Sequence, residues 1–207
     1  THSLPNGLTL LIVENHQLPQ VGIRLSLDEC PELEKEKKGI SDLISLMAGN
    51  GSTSINKDDF NEEIYYLAAT LSIAPNGAYA QVLSKYFPRV LALIADAALH
   101  PNFTEEDMEK EKARIIQSIR ANESNAEVIM KRVRQTLRYT TDHPYGEYIT
   151  ETQIAALTLD DVTNYYRKRF VPNNAYLVVT GDVNPEEVIT LVNEHFADWQ
   201  PYSEETP

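Results

Sequence analysis

Cysteine is nearly missing from this chain. Cys30 is the only one in 207 residues, so no internal disulfide and no thiolate-based zinc cluster is open to it. It flanks an acidic, proline-containing turn and has no histidine near it in sequence, so nothing marks it as a nucleophile. Positive charge is scarce as well. Lys and Arg total 18 against 31 Asp and Glu, a net charge of −13, which excludes the basic face that phosphate recognition needs. No nucleic-acid partner is expected. Long apolar runs are absent, so no membrane span is expected. The opening Thr1-His-Ser-Leu-Pro-Asn-Gly7 lacks the basic-then-apolar order of a signal peptide. A soluble chain is expected, and its compartment stays unknown. The start at Thr1, without an initiator Met, fits a piece excised from a longer multi-domain chain. The five histidines, His2, His16, His100, His143 and His195, never fall within one helical turn of each other, so no His-x-x-x-His zinc pair exists. They read as surface or capping residues. No Gly-x-Ser-x-Gly elbow and no Gly-x-x-x-x-Gly-Lys-Ser/Thr loop occurs.

What is present is globular: 42% hydrophobic and 24% charged residues, enough length for one large core and no sign of disorder. The acid is concentrated at Asp28–Glu36, Glu105–Glu111 and Glu204–Glu205. These clusters read as solvated surface, with attraction of basic peptides as the alternative. After the turn Pro5-Asn6-Gly7, Leu8–Val13 reads as a buried strand, and Val21–Leu27 alternates as a half-buried one. Ile40, Leu43, Ile44 and Met47 recur at helical spacing. Asn56–Leu67 is a second helix capped by Asn56. Thr70–Ile73 and Ala78–Leu83 flank the hairpin signal Pro75-Asn76-Gly77. Tyr86–Leu99 is apolar nearly all round, hence a buried helix. Thr104 opens a long helix predicted to run to about Tyr139, with acids in its first turn. Thr158–Phe170 is a capped helix, Ala175–Thr180 a strand and Pro185–Phe196 a last helix. Together these predict one α+β domain over 1–207, a sandwich whose sheet includes the first and last strands.

Several blocks, collinear over nearly the whole chain, give a resemblance. Leu4-Pro-Asn-Gly-Leu-Thr-Leu-Leu-Ile-Val-Glu-Asn15 is similar to the opening strand of the insulinase/pitrilysin-type zinc peptidases, the inverzincins, which include the mitochondrial processing peptidase subunits. In order there follow Gly39–Met47, Leu83–Leu91, Pro101–Asp107, His143-Pro-Tyr-Gly146, Tyr165–Asn174 and Leu177–Val183. The family's chemistry rests on His-x-x-Glu-His: two histidines on one helix face bind zinc, and the glutamate activates the metal-bound water. The matching stretch here is Asp42-Leu43-Ile44-Ser45-Leu46. The resemblance therefore puts Asp42 at the first ligand, Ser45 at the general base and Leu46 at the second ligand. A third ligand, a glutamate on the long helix, matches Ser118, and Glu111 matches another acid common in the family. Leucine cannot bind a metal and serine is too weak a base to activate water unaided.

The resemblance implies an α+β fold with helices, those containing Leu91 and Ile115 among them, packed on one face of a mainly antiparallel sheet. It also implies a degenerate site at Asp42, Ser45, Leu46 and Ser118, with no catalytic residue, metal or cofactor in this domain. Zinc is expected in a catalytic partner half. The family pairs homologous domains around a peptide-binding chamber, so the implied role is a non-catalytic wall of that chamber, with a homologous zinc-bearing half or subunit and a peptide substrate as partners. Two alternatives stand beside it: a structural scaffold or interaction domain with no part in proteolysis, and a still-active metallopeptidase using substitute ligands. Fold-level analogy alone separates the first two.

Overall fold

A computed structural model describes residues 1–28 and 30–202; the acidic pair Glu204–Glu205 lies outside the described residues. Contacts divide the chain into two compact units, residues 1–28, 48–102 and 167–202 in the first and 30–47 and 103–166 in the second.

The first unit is built on a six-stranded sheet. Its strands are β1 (His2–Ser3), β2 (Thr9–Glu14), β3 (Gln20–Leu27), β4 (Thr70–Ala74), β5 (Gly77–Leu83) and β6 (Ala175–Gly181), in the order β1-β2-β6-β3-β5-β4. Only β2 and β6 run parallel; every other neighbouring pair is antiparallel. The last strand in sequence is thereby inserted between the first two long ones. Alternation decides the faces. Val21, Ile23 and Leu25 of β3, Ala80 and Val82 of β5, and Leu177 and Val179 of β6 are buried, while Arg24, Tyr79, Gln81 and Thr180 face out. The hairpin between β4 and β5 closes as its Asn-Gly signal predicts. Gly77 has φ +146°, and a Cβ there would sit 2.1 Å from the Leu25 carbonyl oxygen, so only glycine lets the strands approach.

The helices of this unit are α2 (Lys57–Tyr66), α3 (Phe87–Leu99) and α8 (Pro185–Phe196). α3 packs on β5 and β4 and against α8. Its Val90, Leu91, Ile94 and Ala97 are sealed from solvent, as a helix apolar nearly all round requires. Asn56 caps α2, accepting from the Asp58 and Asp59 amides. Asn6 donates from Nδ2 to the Phe196 and Trp199 carbonyls, tying the start of the chain to its end. One expectation needs revision. The apolar run Leu8–Val13 is not wholly buried: Leu8 and Leu10 are, but Leu11 and Ile12 are half-exposed and Val13 is exposed. Within β2 only Leu10 is fully buried, and burial falls away toward Glu14.

The second unit is helical, with α1 (Ile40–Met47), α4 (Glu105–Ala121), α5 (Ala126–Tyr139), α6 (Glu151–Ala156) and the start of α7 (Leu159–Arg169). α1 packs against α4, and α4 against α6. The single helix expected from Thr104 to Tyr139 is two helices. Asn122 closes α4 and returns its Nδ2 to the Ser118 carbonyl at 2.9 Å. Asn125 then caps α5 by accepting from the Glu127 and Val128 amides. Asn122-Glu-Ser-Asn125 thus satisfies the loose ends of both helices, which the continuing helical pattern concealed. α6 was absent from the expected elements although Thr150-Glu-Thr-Gln153 forms a full capping box.

Candidate functional site

All four positions singled out by the resemblance lie in the second unit. α1 begins where Gly39 turns the chain at φ +100°, a position where a Cβ would strike Ile154 Cδ1 at 2.4 Å. Ile40, Leu43, Ile44 and Met47 bury one face of α1, so the intervening residues Asp42 and Ser45 are exposed, and Leu46 is half-buried. The helix period thereby separates the four. Asp42, on the first turn of α1, and Ser118, near the end of α4, line one cleft of about 700 Å³. Ser45 and Leu46 do not. Ser45 Oγ donates back to the Ser41 carbonyl at 2.8 Å, a local bond one turn away. Glu111 stands two turns before Ser118 and pairs with Arg114 at 3.4 Å.

Partial burial, and secondarily the carboxylate of Glu34, raise the Asp42 pKa above the ordinary carboxylate value, against an opposing pull from Lys38. Asp42 is open to water as a residue, so this is a modest local effect of the cleft wall. Glu34 carries the larger structural task. Its carboxylate accepts from the Gly39 amide at 2.8 Å and from Ser41 Oγ, and Lys38 Nζ lies 3.4 Å away. Glu147 accepts from the amides of Glu34 and Lys35 at 3.1 and 2.7 Å, and faces the same Lys38 at 3.8 Å. Both carboxylates are almost fully buried. The acidic stretch Asp28–Glu36 is therefore not solvated surface throughout: Glu34 holds the entrance to α1. The sequence carried no signal for this, because its partner Glu147 lies more than a hundred residues away.

The cleft itself is mixed in charge. Asp42, Glu123, Glu147 and Glu151 border it, but so do Lys38, Lys131 and Arg132. Glu147 is taken by Lys38 and two amides, and Glu151 by Arg120 at 2.7 Å. The net charge of the chain does not set the sign of this cleft. As a zinc site the donor set does not fit: two of its four carboxylates are held by Lys38 and Arg120, and beyond a serine hydroxyl it offers no imidazole. Among the described residues no three His, Cys, Asp or Glu side chains are grouped to hold a metal ion. No helix among them is long and apolar enough to cross a membrane.

The histidines are scattered. His16 Nδ1 lies 2.7 Å from Asp182 in the first unit, and His143 stacks on Tyr139 at 5.1 Å in the second. Cys30 is exposed.

Sheet order and helix placement make this an α+β fold. The chain belongs to the insulinase family of peptidases: the family model described as "Insulinase (Peptidase family M16)" matches residues 11–148. A second model, "Peptidase M16 inactive domain", matches residues 156–207. An uncharacterized zinc protease of Rickettsia felis is 25% identical over 201 residues, covering 94% of this chain and 48% of that protein. The non-peptidase homolog YmxG of Helicobacter pylori is 23% identical, covering 93% of this chain and 46% of that protein. Mitochondrial-processing peptidase subunit beta of Rattus norvegicus is 23% identical, covering 94% and 41%. Among solved structures, the peptidase M16 inactive domain from Pseudomonas fluorescens superposes with a TM-score of 0.84 at 18% identity, covering all of this chain and 52% of that one. The first half of the periplasmic protease PqqL from Escherichia coli gives 0.77 at 18%, covering all of this chain and 47% of that one. The chain thus spans about half the length of the relatives it matches.

Proposed function

We propose that this chain is a non-catalytic domain of a paired or tandem insulinase-family peptidase, forming part of the peptide-binding chamber opposite a zinc-bearing half. The observation that carries this reading is the cleft shared by Asp42 and Ser118. Two positions that the resemblance aligns with family zinc ligands, one on α1 and one on α4, border the same space. That agrees with the register of the resemblance, and neither side chain replaces an imidazole or a free carboxylate pair. With Ser45 bonded to its own helix and Leu46 half-buried, nothing at these four positions activates water. The relatives described as a non-peptidase homolog and as an inactive domain support a role without chemistry of its own.

The test has two readings. After dialysis the purified chain should hold far less than one equivalent of zinc, and stoichiometric zinc surviving a chelator wash overturns the assignment. Mixed with a family subunit that carries His-x-x-Glu-His, the chain should raise that subunit's rate of peptide hydrolysis. A partner that binds with unchanged activity replaces the chamber wall by a scaffold role.

A further inference from the structure

Helix α5 opposes the rest of the chain in composition. Lys131, Arg132, Arg134 and Arg138 stand there against Glu127 alone, in a protein of net charge −13. Among the described residues none of these four cations pairs with a carboxylate. Arg132 and Arg138 lie instead over the rings of Tyr148 and Tyr139, at 4.5 and 5.2 Å. The apolar side of the helix is equally unused. Ile129, Val133 and Leu137 recur every fourth residue and form one row beside Met130. No α5 residue is buried, Leu137 being 81% and Met130 60% exposed. An amphipathic helix of a globular protein ordinarily turns such a row inward; left in water it keeps the unfavourable hydration that burial would remove.

The complement is on the same chain. On α2, Asp58 and Glu62 are exposed one turn apart, and Tyr65 and Tyr66 follow at 87% and 78% exposure. Among the described residues none of these four has a cationic partner. α2 offers acid and exposed aromatic surface where α5 offers base and exposed aliphatic surface. We propose that α5 docks a second copy of this chain through that copy's α2. Opposite charges meet across the rim, and Tyr65 and Tyr66 cover the Ile129–Val133–Leu137 row, the aromatic-centred arrangement typical of protein interfaces. An anionic lipid surface fits less well. The chain's −13 charge repels it, and the row lacks the Trp and Phe that favour the headgroup boundary. Ile129 also lines the Asp42–Ser118 cleft, so this docking shares an edge with the proposed chamber wall, while its test needs no zinc-bearing partner.

A charge exchange on the full chain, followed by sedimentation velocity, tests it. One variant reverses α5 with Arg134→Glu and Arg138→Glu; the other reverses α2 with Asp58→Lys and Glu62→Lys. All four positions are exposed, and far-UV circular dichroism checks that the fold survives. The natural chain should dimerise within about 1–100 µM, the range of small transient interfaces. Each variant alone should be monomeric there, and an equimolar mixture of the two should recover the dimer, because both contacts then pair opposite charges. Leu137→Ser should weaken the natural dimer without touching a charge. A natural chain that stays monomeric, variants that associate as it does, or a mixture that fails to associate each overturns the proposal. So does α5-dependent sedimentation with phosphatidylserine vesicles when self-association is absent.

Discussion

At the scale of single residues, what the sequence reveals is identity, and what it hides is partnership. Asp42, Ser45, Leu46 and Ser118 could be picked out because the resemblance aligns them with the family's ligand and base positions, where each differs from the family's residue. That Asp42 and Ser118 share a cleft follows from the helix period and the α1–α4 packing. The Glu34–Lys38–Glu147 cluster was illegible, since it joins residues remote in sequence through buried hydrogen bonds. Asp42 itself is a probe of this environment. It sits in the first turn of α1, where the helix dipole favours the ionised form, yet burial and the neighbouring Glu34 carboxylate prevail and raise its pKa. A raised carboxylate pKa means that the folded state holds the proton more tightly than the unfolded chain. The associated stability is therefore complete below the ordinary carboxylate range and lost as pH climbs through the folded-state value. Carbon-detected NMR titration should find Asp42 above the usual aspartate range, and higher still in Lys38→Met, which removes the opposing cation. A value at or below the ordinary one in the natural chain contradicts this account of the cleft wall.

At the scale of elements, the strands and the buried helix were legible because period and composition agreed: β3 alternates and α3 is apolar on nearly every side. The break between α4 and α5 was not, because helical periodicity continues across Asn122–Asn125 while two side-chain caps interrupt the backbone ladder. Periodicity reports which face is apolar and is blind to a change of axis. If Asn125 is what starts α5, Asn125→Ala should cost about 1 kcal/mol in stability, as lost caps do. Denaturant unfolding would read this, and amide exchange should localise the loss to the first turn of α5. A uniform loss of protection across the chain would mean that Asn125 acts through packing instead. α5 buries no residue, so its helicity depends on its ends more than that of α3, which is held by the core.

For the whole molecule, a sheet that includes the first and last strands followed from the order of elements, whereas the strand order did not. Nothing in Ala175–Thr180 announces that it belongs in the middle of the sheet. β6 lies between β2 and β3, pairing with both along their length, although those two strands precede it by well over a hundred residues. During synthesis β2 and β3 leave the ribosome well before β6 and must wait for their common neighbour. At roughly 5–20 residues per second that wait is on the order of ten seconds. Meanwhile the inner edges of both strands stay unpaired, the kind of template that recruits other chains. The sheet is therefore complete only once β6 has emerged, and long-range pairing of this sort is slow to form. A chain stopped at Phe170 should show no cooperative unfolding transition and should be digested by protease under conditions the intact chain survives. A protease-resistant, cooperatively unfolding product of that length would show that the early strands find another partner. The position of a single late strand thus makes this protein all-or-nothing with respect to truncation, and makes the interval before its arrival the time when a chaperone would matter most.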